Sequence, residues 1–315
     1  MSLSIKQKKA FAVISILCTT AIWGFSFVIM KNSMEILSPL WFLACRFSLA
    51  SLIMLLLNLP RLKGLSLVNL RDAFWIGLPL AFGYAMQTLG LNITTASNSA
   101  FITGIYVVFI PLISWFFTKK LKAWQLLVAF LAFVGLAALS LDANLHINRG
   151  DLLVLAGALG YAAHFLVLDH YTKLYDSLLI SALQIFTCTL LLILAALLFE
   201  PLPTADQFPP SVLHSLLFTA ALGTGLGFLV QTAAQKVLEP TPASILFTSE
   251  TLFAAFFGTV LLNERFIPRQ IMGGIILIAC MIASVVEKKP GSAAEKLPAA
   301  EERPSGEAAP AKTDA

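Results

Sequence analysis

Long apolar blocks separated by short polar connections dominate this chain of 315 residues. Stretches such as "SLASLIMLLL" (48–57) and "LLLILAALLF" (190–199) contain no charged residue. An α-helix needs about 20 apolar residues to cross the roughly 30 Å of hydrocarbon in a bilayer. The blocks therefore predict ten transmembrane helices, with approximate bounds 10–30, 39–58, 72–91, 96–118, 123–141, 151–169, 177–199, 211–235, 241–262 and 268–286.

The composition favours the same class. Hydrophobic residues make up 58% of the chain and charged residues 12%, whereas soluble domains carry roughly 25% charged residues. The chain is therefore predicted to be an all-α membrane protein embedded in the lipid bilayer. Its net charge of +4 says less about binding partners than the distribution of the charge along the chain. We expect no nucleic-acid partner. The basic start followed by an apolar run is interpreted as an uncleaved first span.

The distribution of Lys and Arg predicts the orientation. With the N-terminus inside, thirteen Lys and Arg residues outside the spans and the C-terminal tail fall on the cytoplasmic side. Only Lys31, Arg149, Arg265 and Arg269 fall on the opposite side. Positive charge is concentrated in cytoplasmic loops of membrane proteins. We therefore expect a multi-pass protein of the inner (plasma) membrane with both termini in the cytoplasm.

The two halves of the chain resemble each other when they are offset by 138 residues near the first span and by 144 residues in the third and fourth spans. The aligned pairs include Trp23 with Tyr161, Gln87 with Gln231, and Tyr106 with Glu250. Because each half contains an odd number of spans, the second half enters the membrane from the opposite side. The sequence thus predicts two inverted five-helix repeats, residues 1–145 and 146–289, and a disordered cytoplasmic tail over 290–315, which is rich in Pro, Ala and Glu.

Inverted repeats are typical of transporters. Exchanging the conformations of two such halves converts an outward-open cavity into an inward-open one, with substrate bound near the midplane. Polar residues within the spans indicate where that cavity lies. The amides of Gln87 and Gln231 either face a shared cavity and bind a polar solute, or form hydrogen bonds between closely packed helices.

Glu250 lies in the apolar stretch "FTSETLFAAFF" (247–257). It is about nine residues from the start of the predicted ninth span, which places it about 13 Å into the membrane at 1.5 Å per residue. A carboxylate at the centre of a spanning helix costs about 2.5–3.5 kcal/mol on insertion scales. Such a residue is typically a counter-charge for substrate or a proton carrier. The alternative is a carboxyl group that holds neighbouring helices in register.

Most of the remaining candidates have two interpretations. Arg46 either extends to the outer interface or offers a planar fork to a carboxylate or phosphate. Trp23 and Tyr161 either line the cavity or pack between helices. Tyr106 is a candidate to hydrogen-bond substrate. His164 is either a solvated residue at the cytoplasmic interface or a proton relay, so that Glu250 and His164 are the candidates for proton coupling.

The sequence lacks the motifs of several common enzymatic and metal-binding sites. The chain has no Walker A loop, no His-Glu-x-x-His, no nucleophile elbow and no zinc-type cysteine spacing. We therefore expect no cofactor, no metal site and no catalytic residue, and the chain is not predicted to be an enzyme. The glycine-rich "GTGLG" (223–227) is interpreted as helix packing or a local helix break.

Over residues 10 to 287 the chain resembles the EamA family of the drug/metabolite transporter superfamily. The resemblance is carried by "WGFSF" (23–27), by Arg46–Phe47, and by "PTPASILFTSETLFAAFFGTVLLNERFIPRQIMGGIILI" (240–278). It implies ten helices in two inverted repeats and secondary transport, often export, of small metabolites such as amino acids. It also implies a cavity surrounded by spans 1, 3, 4, 6, 8 and 9. A glutamate in the ninth span is common in that family, so Glu250 serves either the scaffold or the substrate.

Together these features predict a secondary transporter that moves a small polar or amphipathic metabolite by alternating access. An amino acid or related compound is the expected substrate, export is the favoured direction, and protons are candidate coupling ions. The protein is expected to be a monomer or a homodimer. The alternatives are a membrane-embedded ligand sensor and an intramembrane enzyme.

Overall fold

The computed structural model describes residues 4–94, 96–118, 122–140, 148–262 and 268–285, and this part of the chain is helical without strands. Its α-helices are α1 (Ile5–Met34), α2 (Pro39–Leu57), α3 (Leu59–Leu62), α4 (Leu67–Ile93), α5 (Ala96–Gly104), α6 (Tyr106–Thr118), α7 (Ala123–Ser140), α8 (Arg149–Thr172), α9 (Ser177–Phe199), α10 (Pro210–Phe218), α11 (Gly227–Gln235), α12 (Pro240–Phe247), α13 (Ser249–Leu262) and α14 (Pro268–Val285). A π-helix, Thr219–Leu226, connects α10 to α11. The predicted tail, 290–315, lies outside the described residues.

Eight helical segments in the described part of the chain are long and apolar enough to cross a membrane. They coincide with predicted spans one to four, six to eight, and ten. The fifth predicted span corresponds to α7, which contains a shorter apolar segment. The ninth corresponds to α12 and α13, which are separated at Thr248. The chain is therefore a membrane protein, and the part of it that the structure describes is all-helical.

Lipid explains why the surface of this bundle is apolar. Large side chains such as Leu56, Phe130, Leu197 and Ile275 point outward and are exposed. Hydrocarbon provides no hydrogen-bond partners, so a spanning segment must satisfy its backbone internally, as an α-helix does. Polar side chains are instead concentrated inside the bundle, where other helices surround them.

Helices α4 and α8 approach each other closely through glycines. A Cβ atom added to Gly90 would lie 2.6 Å from the carbonyl oxygen of Gly150, and one added to Gly157 would lie 2.9 Å from the carbonyl oxygen of Gly83. Small residues permit such backbone contact between membrane helices, where packing and hydrogen bonding replace the hydrophobic effect. Gly83 and Gly90 on the third span thus belong to the contact surface with α8.

Helices α2 and α9 are tied together at both ends. At one end, the Glu200 carboxylate accepts hydrogen bonds from the Ser38 hydroxyl at 2.7 Å and the backbone N–H of Leu40 at 3.1 Å. This carboxylate caps the N-terminus of α2, where negative charge is favoured by the helix dipole. At the other end, the Asn58 side chain donates to the carbonyl oxygen of Leu178 at 3.2 Å.

Three of the predicted spans contain interruptions. The π-helix replaces regular α-helix over residues 219–226, so "GTGLG" falls on a local break. The fourth span is divided at Ile105 and the ninth at Thr248. Irregular backbone within a membrane is tolerated where it is enclosed by protein or lines a cavity.

The α4–α8 contact predicts the effect of a single methyl group. We expect Gly157→Ala to lower the free energy of unfolding by about 1–3 kcal/mol, because the new Cβ would meet backbone atoms that cannot move aside. Thermal unfolding of the purified protein in detergent measures this loss. The control is Gly64→Ala, since no atom lies within 4 Å of a Cβ added there. Equal melting temperatures for the two variants would contradict the contact.

The Glu200 cap predicts a second loss of stability. We expect Glu200→Ala to cost about 1–2 kcal/mol, because it removes a charged acceptor from the start of α2. The melting temperature should fall by about 2–4 °C per kcal/mol. Glu35→Ala is the matched control, because Glu35 is exposed. A melting temperature of Glu200→Ala no lower than that of Glu35→Ala would refute the cap.

Candidate functional site

One cavity of about 60 Å³ lies among the spanning helices. It is lined by Trp23, Ser26, Phe27, Met30, Arg46, Tyr84, Gln87, Thr103, Tyr106, Tyr161, His164, Phe165, Phe228, Gln231 and Glu250. The eight candidates from the sequence are all in this set: Trp23, Arg46, Gln87, Tyr106, Tyr161, His164, Gln231 and Glu250. Their roles in binding and proton coupling stay predictions, but their location at a single cavity is a property of the fold.

Most of the apolar and aromatic wall of the cavity was not evident from the sequence. Tyr84 and Phe228 line the cavity although neither was a candidate. A usable signal was present, because the offset of 144 residues that aligns Gln87 with Gln231 also aligns Tyr84 with Phe228. Aromatic residues within an apolar span carry no polar signal of their own.

Gln87 joins three helices at the cavity. Its Nε2 donates to the Thr103 hydroxyl at 2.8 Å, and its Oε1 accepts from the Tyr161 hydroxyl at 2.7 Å. These bonds connect α4 with α5 and α8, so Gln87 both lines the cavity and links the helices around it. Gln231, its aligned partner, instead donates to Gln235 on its own helix at 3.4 Å.

Arg46 is buried at the cavity and is only 2% exposed. Its Nε donates to the Thr224 hydroxyl at 2.7 Å and its Nη1 to the Met30 sulfur at 3.1 Å. The rings of Tyr84 and Phe47 lie 5.4 and 5.7 Å from the guanidinium carbon. The interpretation in which Arg46 extends to the outer interface is therefore wrong, because these partners hold its side chain inside the bundle.

Glu250 lies in the first turn of α13, just after the interruption at Thr248. Negative charge is favoured at a helix N-terminus, which partly offsets the cost of a carboxylate at this depth. Within the described residues its side chain makes no hydrogen bond, but it lies within electrostatic range of the Arg46 guanidinium. Helix α1 packs tightly here, since a Cβ on Gly24 would lie 2.8 Å from the Glu250 carbonyl oxygen.

His164 is 1% exposed and shares a hydrogen bond with the Gln184 side chain at 2.8 Å. Gln184 in turn donates to the Thr232 hydroxyl at 3.1 Å. The interpretation of His164 as a solvated interfacial residue is therefore wrong. The predicted sixth span ended too early, because α8 continues to Thr172 and leaves His164 two turns from its end.

Aromatic side chains complete the site. The Trp23 Nε1 donates to the Gly223 carbonyl oxygen of the π-helix at 2.6 Å, and the Trp23 ring stacks on Phe247 with centroids 5.3 Å apart. Tyr106 stacks on Phe165 at 5.4 Å. These rings are packed between helices and also form the cavity wall, so both interpretations of Trp23 describe its position.

Sequence comparisons connect this architecture to known proteins. The sequence model of the EamA-like transporter family matches residues 10–141 and again residues 148–286. An "Uncharacterized transporter" of Archaeoglobus fulgidus is 32% identical over 283 residues, covering 88% of this chain and 87% of that protein. The "Uncharacterized transporter YoaV" of Bacillus subtilis is 25% identical, covering 86% of this chain and 94% of that protein.

A third relative is the "S-adenosylmethionine/S-adenosylhomocysteine transporter" of Chlamydia trachomatis serovar L2, which is 25% identical over 86% of this chain and 88% of its own length. The fold also matches a solved crystal structure with a TM-score of 0.71 at 14% sequence identity, covering 87% of this chain and 96% of that one. The two family matches taken together cover most of the chain, and so does the 32% identical relative. The chain therefore belongs to the EamA-like transporter family.

Proposed function

We propose that the chain is a secondary transporter of the inner (plasma) membrane that moves a small polar or amphipathic metabolite by alternating access. The observation that carries the proposal is the cavity itself, which lies among membrane-spanning helices and is lined by charged and amide side chains from both halves of the sequence. The proposed substrate is an amino acid or a related compound, and the proposed direction is export.

Two observations support ten spans arranged as two inverted repeats, 1–145 and 146–289. The family model matches once in each half. The helix breaks at Ile105 and Thr248 also occupy nearly corresponding positions, next to the aligned Tyr106 and Glu250. With ten spans and the observed bias of Lys and Arg, both termini are in the cytoplasm.

The size of the cavity supports a moving carrier. About 60 Å³ holds a few water molecules, whereas small-molecule sites usually measure about 300–1,000 Å³. A metabolite therefore requires the walls to separate. Hydrogen bonds between the halves, such as Tyr161 to Gln87 and Trp23 to Gly223, would have to break or turn during that motion, which would release polar groups to water or substrate.

The class of substrate has separate support. S-adenosylmethionine, named for the Chlamydia relative, carries an α-amino-acid group on an amphipathic body. The cavity offers similar complementarity, because aromatic rings lie beside the charged groups of Arg46 and Glu250. In this proposal Glu250 acts as counter-charge or proton carrier, with His164 as a second candidate for proton coupling.

Untargeted mass spectrometry of culture medium tests the proposal. We expect cells that express the wild-type protein to accumulate a native metabolite outside that empty-vector cells do not. With Glu250→Gln we expect about thirtyfold less of it or lower still, because removing a charged contact at a site of this kind costs on the order of 2 kcal/mol or more. Glu35→Gln is the matched control, since Glu35 is exposed and lies outside the cavity.

The other outcomes separate the alternatives. Equal accumulation with Glu250→Gln and the wild type would keep export and assign the glutamate to the scaffold. A new chemical species in the medium would indicate an intramembrane enzyme. An unchanged medium would contradict export of any metabolite made by that host.

A further inference from the structure

The Arg46 guanidinium and the Glu250 carboxyl group face the cavity without pairing with each other. Arg46 comes from α2 and Glu250 from α13, and both line the cavity. Within the described residues neither side chain takes part in a salt bridge, although the two lie within electrostatic range. A buried charge inside a membrane normally has a partner of opposite sign. The two groups therefore define the chemistry of a ligand that would satisfy both.

The surroundings of Arg46 fix its position but do not neutralise it. The Thr224 hydroxyl and the Met30 sulfur accept from Nε and Nη1, and the rings of Tyr84 and Phe47 lie near the guanidinium group. All four partners are uncharged. A guanidinium group carries five N–H donors in a planar fork that matches a carboxylate. Donors thus remain for a planar anion, and the group is already held in place to receive one.

Glu250 is the second group that a ligand would contact. Its carboxylate accepts no hydrogen bond from the described residues, and the side chain is half-buried at the cavity wall. An ionised carboxylate only accepts hydrogen bonds, so an ammonium group with its three donors is a matching partner. The rings of Trp23, Tyr161 and Phe228 belong to the same wall. Aromatic faces also attract cations and pack against apolar side chains.

We propose that the cavity selects a net-neutral zwitterion, whose carboxylate binds Arg46 and whose ammonium group binds Glu250. This inference deepens the proposed function and rests on it. A solute with only one of the two charges would leave the opposite protein charge buried without a partner, and such unpaired groups cause strong discrimination. The aromatic wall then accommodates the body of the solute.

Analogues of one ligand test the inference on the unmodified protein. The purified protein in lipid nanodiscs is screened by thermal shift against the amino acids with uncharged side chains and S-adenosylhomocysteine, all of which are net-neutral zwitterions. For each compound that stabilises the protein, calorimetry compares its affinity with those of its carboxamide, which lacks the negative charge, and its N-acetyl derivative, which lacks the positive charge. We expect both derivatives to bind about tenfold or more weakly.

Three results of this series would overturn the inference. A carboxamide that binds as well as its parent would identify a site for cations, and an N-acetyl derivative that binds as well would identify a site for anions. Stabilisation by no member of the panel would also reject a site for amino-acid zwitterions.

Variants then assign each charge to its partner. In Arg46→Gln we expect the preference for the free acid over its carboxamide to disappear, while the preference for the free amine over the N-acetyl compound persists. In Glu250→Gln we expect the reverse. A merely structural role would weaken all ligands alike and would contradict the assignment. Arg61→Gln and Glu35→Gln are matched controls outside the cavity and should keep both preferences.

Transport in proteoliposomes distinguishes this inference from the proposed function. Vesicles containing the protein are loaded with the tightest-binding zwitterion, and its efflux is compared with that from protein-free vesicles. A zwitterion that binds but does not cross would refute transport and leave the binding inference intact. A carboxamide or N-acetyl derivative that crosses as fast as its parent would refute the zwitterion site and leave transport intact.

Discussion

Every main-chain polar group within this bundle must find its hydrogen-bond partner without water, because the surrounding hydrocarbon offers none. Regular helices meet this requirement wherever the chain faces lipid. Close approach between helices is then possible only where side chains are absent, as at the glycines of α4 and α8. The helix breaks at Ile105 and Thr248 lie next to Tyr106 and near Glu250. The π-helix of residues 219–226 contains Thr224, whose hydroxyl accepts a hydrogen bond from Arg46. Irregular backbone and the polar side chains of the cavity therefore occur together at the centre of the bundle.

The π-helix illustrates how one irregularity supports several site residues. Two consecutive residues within it, Gly223 and Thr224, bind different cavity side chains: the carbonyl oxygen of Gly223 accepts from Trp23, and the hydroxyl of Thr224 accepts from Arg46. π-Helical turns are frequent at functional sites. Here the segment fixes an aromatic ring and a cation through a single short piece of backbone, so the orientation of both depends on its geometry.

The sequence predicted the helices well because apolar length is a direct consequence of bilayer thickness. It also identified residues that line one cavity, since aligning the two halves paired Trp23 with Tyr161, Gln87 with Gln231, and Tyr106 with Glu250. It left the surroundings of both His164 and Arg46 open, and for each the interfacial alternative is wrong. Hydropathy reports the depth of a residue, but burial depends on where a helix ends and on which neighbours face it. Those neighbours, such as Gln184 and Thr224, are distant in sequence and carry no pattern that marks them.

The ties at the two ends of α2 and α9 limit how the molecule can change shape. Sliding one helix along the other would break the bonds from Ser38 to Glu200 and from Asn58 to Leu178. Moving the two helices together as one unit would preserve both bonds. The helices α2 and α9 are therefore expected to behave as a rigid pair. Arg46 lies near the middle of α2, within this pair. In the transport cycle proposed above, a solute bound to Arg46 would thus move together with α2 and α9 as a single body.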